Sequence, residues 1–162
     1  MKTLHLIRHA KSDWDAENQR DIDRPLNKRG RKACKIMAQR IIDAGCNLEK
    51  VFCSPAERAQ QTIKGIAEAL APRDITWEID YELYTFDSQD LLDWLDKVED
   101  AIDELVLVGH NPALTELTNL LGEMHLENLP TCGYVQIQLD IHTWNEISAN
   151  CGKLQQFLTP KD

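Results

Sequence analysis

The sequence has 162 residues, of which 43% are hydrophobic and 28% are charged, with a net charge of -9. These are the proportions of an ordinary globular protein, so a disordered or fibrous chain is excluded. Its apolar runs are far shorter than the roughly 20 residues needed to cross a bilayer, and its negative charge disfavours nucleic acid as a partner. The sequence predicts one globular domain over residues 1–162, with no membrane span.

The cysteines are an odd number at irregular spacing, without a CxxC pair or a secretory signal ahead of them. We expect reduced thiols, a cytoplasmic location and no zinc site, since no cluster has metal-ligand spacing. No cofactor or metal is predicted. The five cysteines are Cys34, Cys46, Cys53, Cys132 and Cys151.

The chain opens with an apolar run, residues 2–7, that stops at Arg8 and His9. This pattern predicts a buried strand that delivers polar side chains at its carboxyl end. Asn27 is a suitable N-cap for a following helix with apolar residues at helical spacing, which ends at Gly45.

Residues 50–53 form a second apolar run and predict a second strand. After it, Ser54, Pro55 and Glu57 read as an N-cap, a first-turn proline and a capping-box glutamate, so we predict a helix beginning there. A third strand is predicted over residues 75–79.

Ser88 is a predicted N-cap for a third helix, and residues 105–108 predict a strand that ends before His110. Asn111 with the proline after it predicts the start of another helix, which ends at Gly122.

Residues 134–139 and 144–149 alternate like two edge strands joined by a turn. Strand and helix therefore alternate along the whole chain. This order predicts an α/β fold, a three-layer α/β/α sandwich with a mostly parallel central sheet and an antiparallel edge.

Histidines and arginines follow three of the predicted strands: Arg8 and His9 after the first, Arg58 after the second, and His110 after the fourth. In a parallel sheet these side chains meet at the edge formed by the carboxyl ends of the strands. Arginine binds phosphate oxygens bidentately, and neutral imidazole is a competent nucleophile near pH 7. The set predicts phosphoryl transfer through a covalent phosphohistidine on His9.

These residues resemble the motifs of the histidine phosphatase, or phosphoglycerate mutase-like, superfamily. Arg8-His9 after an opening strand resembles its first motif, residues 53–62 (CSPAERAQQT) its second, and residues 109–112 (GHNP) its third. The resemblance implies that His9 is the nucleophile, that Arg8 and Arg58 hold phosphate, and that His110 contacts the phosphoryl group. It also implies a phosphoglycerate mutase-like fold.

Within that superfamily, residues 8–12 (RHAKS), residues 23–26 (DRPL) with Gly30, and the short chain are most similar to the phosphohistidine phosphatase SixA branch. The similarity extends from about residue 2 to 150. It implies that Arg24 closes over the phosphate from the loop after the first strand. Asn111 is a further candidate for substrate binding.

Larger relatives supply a carboxylic acid that protonates an ester leaving group, and the nearest equivalent is Glu82. Asp13, Asp21 and Asp23 lie in the loop after His9 and are alternatives. An alkoxide leaving group needs a proton from the enzyme, whereas the imidazole of a phosphohistidine is easily protonated by solvent.

The leading hypothesis is a phosphatase that hydrolyses phosphohistidine, carried by a protein such as a phosphorelay protein. The alternatives are a phosphomonoesterase of a small metabolite or phosphoserine, and a binding module for phosphate or phosphoproteins without turnover. A basic stretch, Lys28, Arg29, Arg31 and Lys32, is either a solvated helix face or a docking surface for an acidic phosphoprotein.

Overall fold

The computed structural model describes residues 1–14, 19–122 and 125–161. Within them lie the strands β1 (Lys2–Arg8), β2 (Val51–Cys53), β3 (Glu78–Ile79), β4 (Glu104–Gly109), β5 (Tyr134–Leu139) and β6 (Gly152–Leu158). The helices are α1 (Lys28–Asp43), α2 (Glu57–Ala69), α3 (Ser88–Asp96) and α4 (Ala113–Leu121). No helix in these ranges combines the length and apolar composition that crossing a bilayer requires.

The strands form one sheet in the order β3-β2-β4-β1-β5-β6. β1, β2, β3 and β4 pair in parallel, whereas β5 and β6 pair antiparallel at one edge. The carboxyl ends of β1, β2 and β4 therefore meet at one edge of the sheet. This topology confirms the predicted mostly parallel sheet with an antiparallel edge.

Helices cover both faces of the sheet. On one face α1 and α2 pack on Ile7 of β1, and on the other α3 and α4 pack on Leu4 and Leu6. All three β1 residues are fully buried, since a parallel strand between two helical layers has no solvent-facing side. The three-layer prediction is confirmed.

Three predicted helix starts are wrong in detail. In α4, which begins at Ala113, Pro112 rather than Asn111 is in the N-cap position. The second helix begins at Glu57 with Ala56 in the N-cap position, and the Ser54 side chain instead contacts His110. The third helix is capped by Asp87, whose carboxylate accepts from a backbone N–H, rather than by Ser88. For the first helix the predicted cap is correct, because the Asn27 side chain accepts from the backbone N–H of Gly30, the third residue of α1.

Residues 144–149 do not form the predicted strand. Trp144 is fully buried, its indole N–H donates to Ile102 O at 2.7 Å, and it opens a short 3-10 turn capped by Thr143. The edge strand is β6, which begins only at Gly152, and β3 is shorter than the predicted range 75–79. Burial of the Trp144 side chain therefore determines the local backbone, and the alternating sequence pattern does not produce a strand here.

The first turn of α1 lies directly against the loop that follows His9. A Cβ atom at Gly30 would overlap the carbonyl oxygen of Lys11, which also accepts the Asn27 N–H at 2.9 Å. Only glycine permits this close approach of helix and loop. The packing fixes the loop that borders the site.

We predict that Gly30→Ala lowers the free energy of unfolding, although alanine favours helix by about 1 kcal/mol. Overlap with backbone that cannot move aside costs about 1–3 kcal/mol. Urea denaturation measures the change, with the exposed Lys35→Ala in the same helix as control. An unfolding free energy equal to wild type would show that the loop gives way.

Candidate active site

The carboxyl ends of three strands bring the predicted residues together. Arg8 ends β1 and His9 follows it, Arg58 lies in the first turn of α2, and His110 follows β4. The ring centroids of the two histidines are 5.2 Å apart. A cleft of about 710 Å³ opens over His9, Arg8 and Arg58, and Arg24 also lines it.

The His9 ring is held in one tautomer. Its Nδ1 is 2.7 Å from the carbonyl oxygen of Ala10, which can only accept, so Nδ1 carries the proton and Nε2 keeps its lone pair. Burial, with the positive charges of Arg58 and Arg8, lowers the pKa of His9 to about 4, although the Ala10 hydrogen bond opposes the shift. The ring is neutral near pH 7 and can act as a nucleophile.

Asp21 joins two of the arginines. Arg58 donates to the Asp21 backbone oxygen at 2.7 Å and to its carboxylate at 3.0 Å, while Arg24 donates to the other carboxylate oxygen at 3.1 Å. The Tyr84 hydroxyl donates to the same carboxylate. Burial opposes ionisation of Asp21, but the hydrogen bonds from Tyr84 and Arg58 and the positive charge of Arg58 lower its pKa to about 2. Asp21 is therefore ionised.

Among the residues that the structure describes, two arginine donors in the site have no acceptor. The Nε atoms of Arg8 and Arg58 are buried and unpartnered, although Arg8 also donates through Nη1 to Leu129 O at 3.0 Å. A buried donor left unsatisfied costs about 1–3 kcal/mol. Burial, together with the charge of Arg58, lowers the pKa of Arg8. The unpartnered donors and the uncompensated positive charge both indicate an anion-binding site.

His110 is 1% exposed, and both of its ring nitrogens contact protein groups. Nε2 is 2.7 Å from the Ser54 hydroxyl, and Nδ1 is 3.3 Å from Nη2 of Arg58, which can only donate. Burial lowers the pKa of His110 to about 2, and the neighbouring His9 and Arg58 contribute. The ring is neutral and lies behind His9.

Asn111 lines the cleft but its amide is fully engaged. Its oxygen accepts from the backbone and side chain of Thr115 at 3.1 and 3.0 Å, and its nitrogen donates to Asn128 and to Leu129 O at 3.0 and 2.9 Å. Leu129 O also receives the Arg8 guanidinium. Asn111 thus helps to fix the loop that orients Arg8.

Glu82 does not lie in the cleft. It is exposed in a short 3-10 turn, Tyr81–Leu83, and lines a separate concavity with Lys50 and Trp94. Within the described residues the carboxylate that lines the cleft is Asp21. The prediction that Glu82 is the general acid is not supported by its position.

Of the two other candidate acids, Asp13 accepts from Asn27 at 2.9 Å and Asp23 pairs with Arg20 at 2.8 Å. Neither lines the cleft. The sequence did offer one signal for the role of Asp21, since an aspartate three residues before Arg24 can form an ion pair with it.

Tyr84 and Ser12 also border the cleft, and neither was predicted from the sequence. Tyr84 donates to Asp21, and Ser12 accepts from Arg24 at 2.7 Å. No local pattern distinguishes these residues, because both contacts depend on the folded loop. Across the part of the chain that the structure describes, no group of three His, Cys, Asp or Glu side chains is arranged to hold a metal ion.

Residues 4–94 match the family model of the histidine phosphatase superfamily (branch 1). An uncharacterized protein of Picosynechococcus sp. is 33% identical over 89% of this chain and 92% of its own length. The chain therefore belongs to the histidine phosphatase superfamily. Membership and the site geometry together support a phosphatase with a histidine nucleophile.

Two solved structures share the fold over almost the whole chain. A candidate phosphohistidine phosphatase SixA from Agrobacterium tumefaciens is 27% identical with a TM-score of 0.79, covering 98% of each chain. The protein histidine phosphatase SixA complexed with tungstate is 21% identical with a TM-score of 0.78, covering 98% of this chain and 97% of its own. These similarities confirm the phosphoglycerate mutase-like fold class and its resemblance to SixA.

We predict that His9 titrates near pH 4 and that its neutral form is protonated on Nδ1. Burial disfavours the imidazolium, so the ring gains a proton only well below the ordinary histidine pKa of about 6.5. Nitrogen-15 NMR of the histidine side chains measures both properties, with His9→Gln assigning the signal. A midpoint near 6.5, or a proton on Nε2, would contradict the described geometry.

Proposed function

We propose that this protein hydrolyses phosphohistidine in a protein substrate, through a phosphoryl group carried transiently on Nε2 of His9. One observation carries the proposal: the unpartnered Nε donors of Arg8 and Arg58 are buried beside a neutral His9 whose Nε2 is free to attack. Cationic donors and a nucleophile at one place are what phosphoryl transfer requires.

The arginines would hold the phosphoryl oxygens. Arg8 and Arg58 offer their Nε atoms, and Arg24, which is 8% exposed, lies beside them with its guanidinium 3.7 Å above the Trp14 ring. Guanidinium groups match a tetrahedral oxyanion in geometry and charge. Binding of tungstate by the SixA protein of similar fold agrees with an oxyanion site in this fold.

The reaction would proceed in two displacements. In the first, the Nε2 lone pair of His9 forms a bond to phosphorus while the bond from phosphorus to the substrate imidazole breaks, and that imidazole leaves with its electron pair. In the second, water forms a bond to phosphorus while the bond from phosphorus to Nε2 of His9 breaks. Nε2 takes back its electron pair, the proton that water loses passes to solvent, and inorganic phosphate leaves. Because the arginines are already held beside His9, they stabilise the negative charge in both transition states.

His110 would contact the phosphoryl group after a change of tautomer. The Ser54 hydroxyl can donate as well as accept. If it donates to Nε2 of His110, then Nδ1 carries the proton and can donate to a phosphoryl oxygen. This exchange would release the Nδ1 contact with Arg58, which at 3.3 Å is long for a hydrogen bond.

The leaving group distinguishes phosphohistidine from phosphate esters. Asp21, the carboxylate that lines the cleft among the described residues, is held ionised with a pKa of about 2, and Glu82 lies elsewhere. A seryl alkoxide would need an acid that these carboxylates do not supply. The substrate imidazole takes its proton from solvent, so the site favours N-phosphoryl substrates. The candidate phosphohistidine phosphatase SixA from Agrobacterium tumefaciens, which shares this fold, supports the proposed substrate class.

We predict that wild type forms an acid-labile, base-stable phosphoenzyme and that His9→Ala does not. The measurement is rapid-quench labelling with a peptide that carries radioactive phosphohistidine. His142→Ala is the matched control, because His142 is exposed and does not line the cleft. Labelling of His9→Ala at the wild-type level would remove His9 as the nucleophile.

A second prediction concerns substrate choice. For two peptides of the same sequence, kcat/KM should be about 100-fold or more greater with phosphohistidine than with phosphoserine, the usual contribution of a general acid. Glu82→Gln should leave both values within about twofold. Similar rates with the two peptides, or a selective loss of phosphoserine hydrolysis in Glu82→Gln, would favour the phosphomonoesterase instead.

A further inference from the structure

A second groove opens beside the catalytic cleft. It has a volume of about 500 Å³, and Lys11 and Thr131 line both the groove and the cleft. The two spaces are therefore adjacent at these shared residues. We call it the basic groove, and its defining residues are Lys11, Arg29, Lys32, Ile36, Thr131 and Lys161.

The basic groove is cationic in a protein whose net charge is -9. The charged side chains that line it among the described residues are all Lys or Arg. Within the same residues no ion pair joins Lys11, Arg29 or Lys32 to a carboxylate. These exposed cations are available to a bound anion.

The position of Arg29 is unfavourable for the helix itself. It lies in the first turn of α1, which contains no acidic residue, and the helix dipole makes that end positive. Cations are therefore placed where they do not stabilise the helix but do add to the field over the groove.

The apolar part of the groove favours a protein segment over a bare anion. Ile36 is 41% exposed, and it lines the groove together with Pro130 and the cationic side chains. An extended polyanion such as nucleic acid would meet repulsion from the rest of the molecule, whereas a short acidic segment meets mainly the groove. The combination fits a peptide with acidic and apolar side chains.

We propose that the basic groove binds acidic residues that flank the phosphohistidine in the protein substrate. This inference rests on the proposed function, because a phosphohistidine held in the cleft brings its flanking segment past Lys11 and Thr131 into the groove. The groove selects the partner by charge, whereas His9 and the arginines perform the reaction. It thus assigns two residues of the basic stretch of α1, Arg29 and Lys32, to docking.

The test compares two peptides, each with a central phosphohistidine flanked on both sides by glutamates in one and by glutamines in the other. Wild type should favour the glutamate peptide about tenfold in kcat/KM, mainly through KM. The preference should disappear in Arg29→Glu/Lys32→Glu and should weaken in wild type as salt is raised. Hydrolysis of the glutamine peptide should remain within about twofold of wild type in the variant.

Lys50→Glu/Lys153→Glu is the matched control, since it changes the net charge equally. Lys50 directly precedes β2. Lys153 of β6 pairs with Gln138 of β5, which in turn pairs with Thr3 near the start of β1. Both lysines therefore lie at the end of the sheet where the parallel strands begin, away from the cleft. This control should keep the preference for the glutamate peptide. Equal loss in both double variants would mean that net charge, rather than the groove, attracts the substrate, and would overturn the proposal.

Two further outcomes separate this inference from the proposed function. If wild type hydrolyses both peptides equally, the groove has no docking role although the phosphatase activity stands. If wild type hydrolyses neither peptide, the proposed function fails. Fluorescence anisotropy with the unphosphorylated glutamate peptide then tests whether the groove binds acidic peptides. Binding that Arg29→Glu/Lys32→Glu abolishes supports docking, and binding unchanged by that variant overturns it.

Discussion

The structure of the site depends on one carboxylate that is surrounded by cations. Asp21 binds Arg24 and Arg58 and accepts the Tyr84 hydroxyl, so positive groups that would otherwise repel one another stay together before any substrate arrives. Among the described residues, Arg58 donates to Asp21 through both of its Nη atoms, while its Nε has no acceptor. The carboxylate thus holds the arginines ready while leaving donors for an incoming anion.

The fold brings the remaining parts of the site to this cluster. Parallel pairing of β1 with β4 places Arg8 opposite Gly109, so the histidines that follow the two strands are adjacent. The Ala10 carbonyl then sets the tautomer of His9, and Leu129 O accepts from Arg8. Because backbone carbonyl groups accept both hydrogen bonds, His9 and Arg8 are oriented by the fold before a substrate binds.

Short-range patterns in the sequence predicted the features that depend on local structure, and the buried β1 run and the Asn27 cap were correct. The histidines and arginines also meet at one sheet edge as predicted, because alternating strands and helices favour parallel pairing, which brings the carboxyl ends of the strands together. Features that depend on tertiary contacts could not be read from the sequence: Trp144 is turned into the core and displaces a predicted strand. For the same reason Ser54 contacts a histidine instead of capping a helix, and Glu82 faces a different concavity from His9.

We infer that an oxyanion binds between Nε2 of His9 and the arginine donors that have no acceptor among the described residues. A crystal structure of the protein with vanadate would show this site, since vanadate can bond to a nucleophilic nitrogen in the geometry of phosphoryl transfer. We expect vanadium bonded to Nε2 of His9, with its oxygens accepting from the Nε atoms of Arg8 and Arg58. Vanadate bound to another residue, or arginine Nε atoms that stay without an acceptor while it is bound, would show that the oxyanion site does not lie between His9 and these arginines.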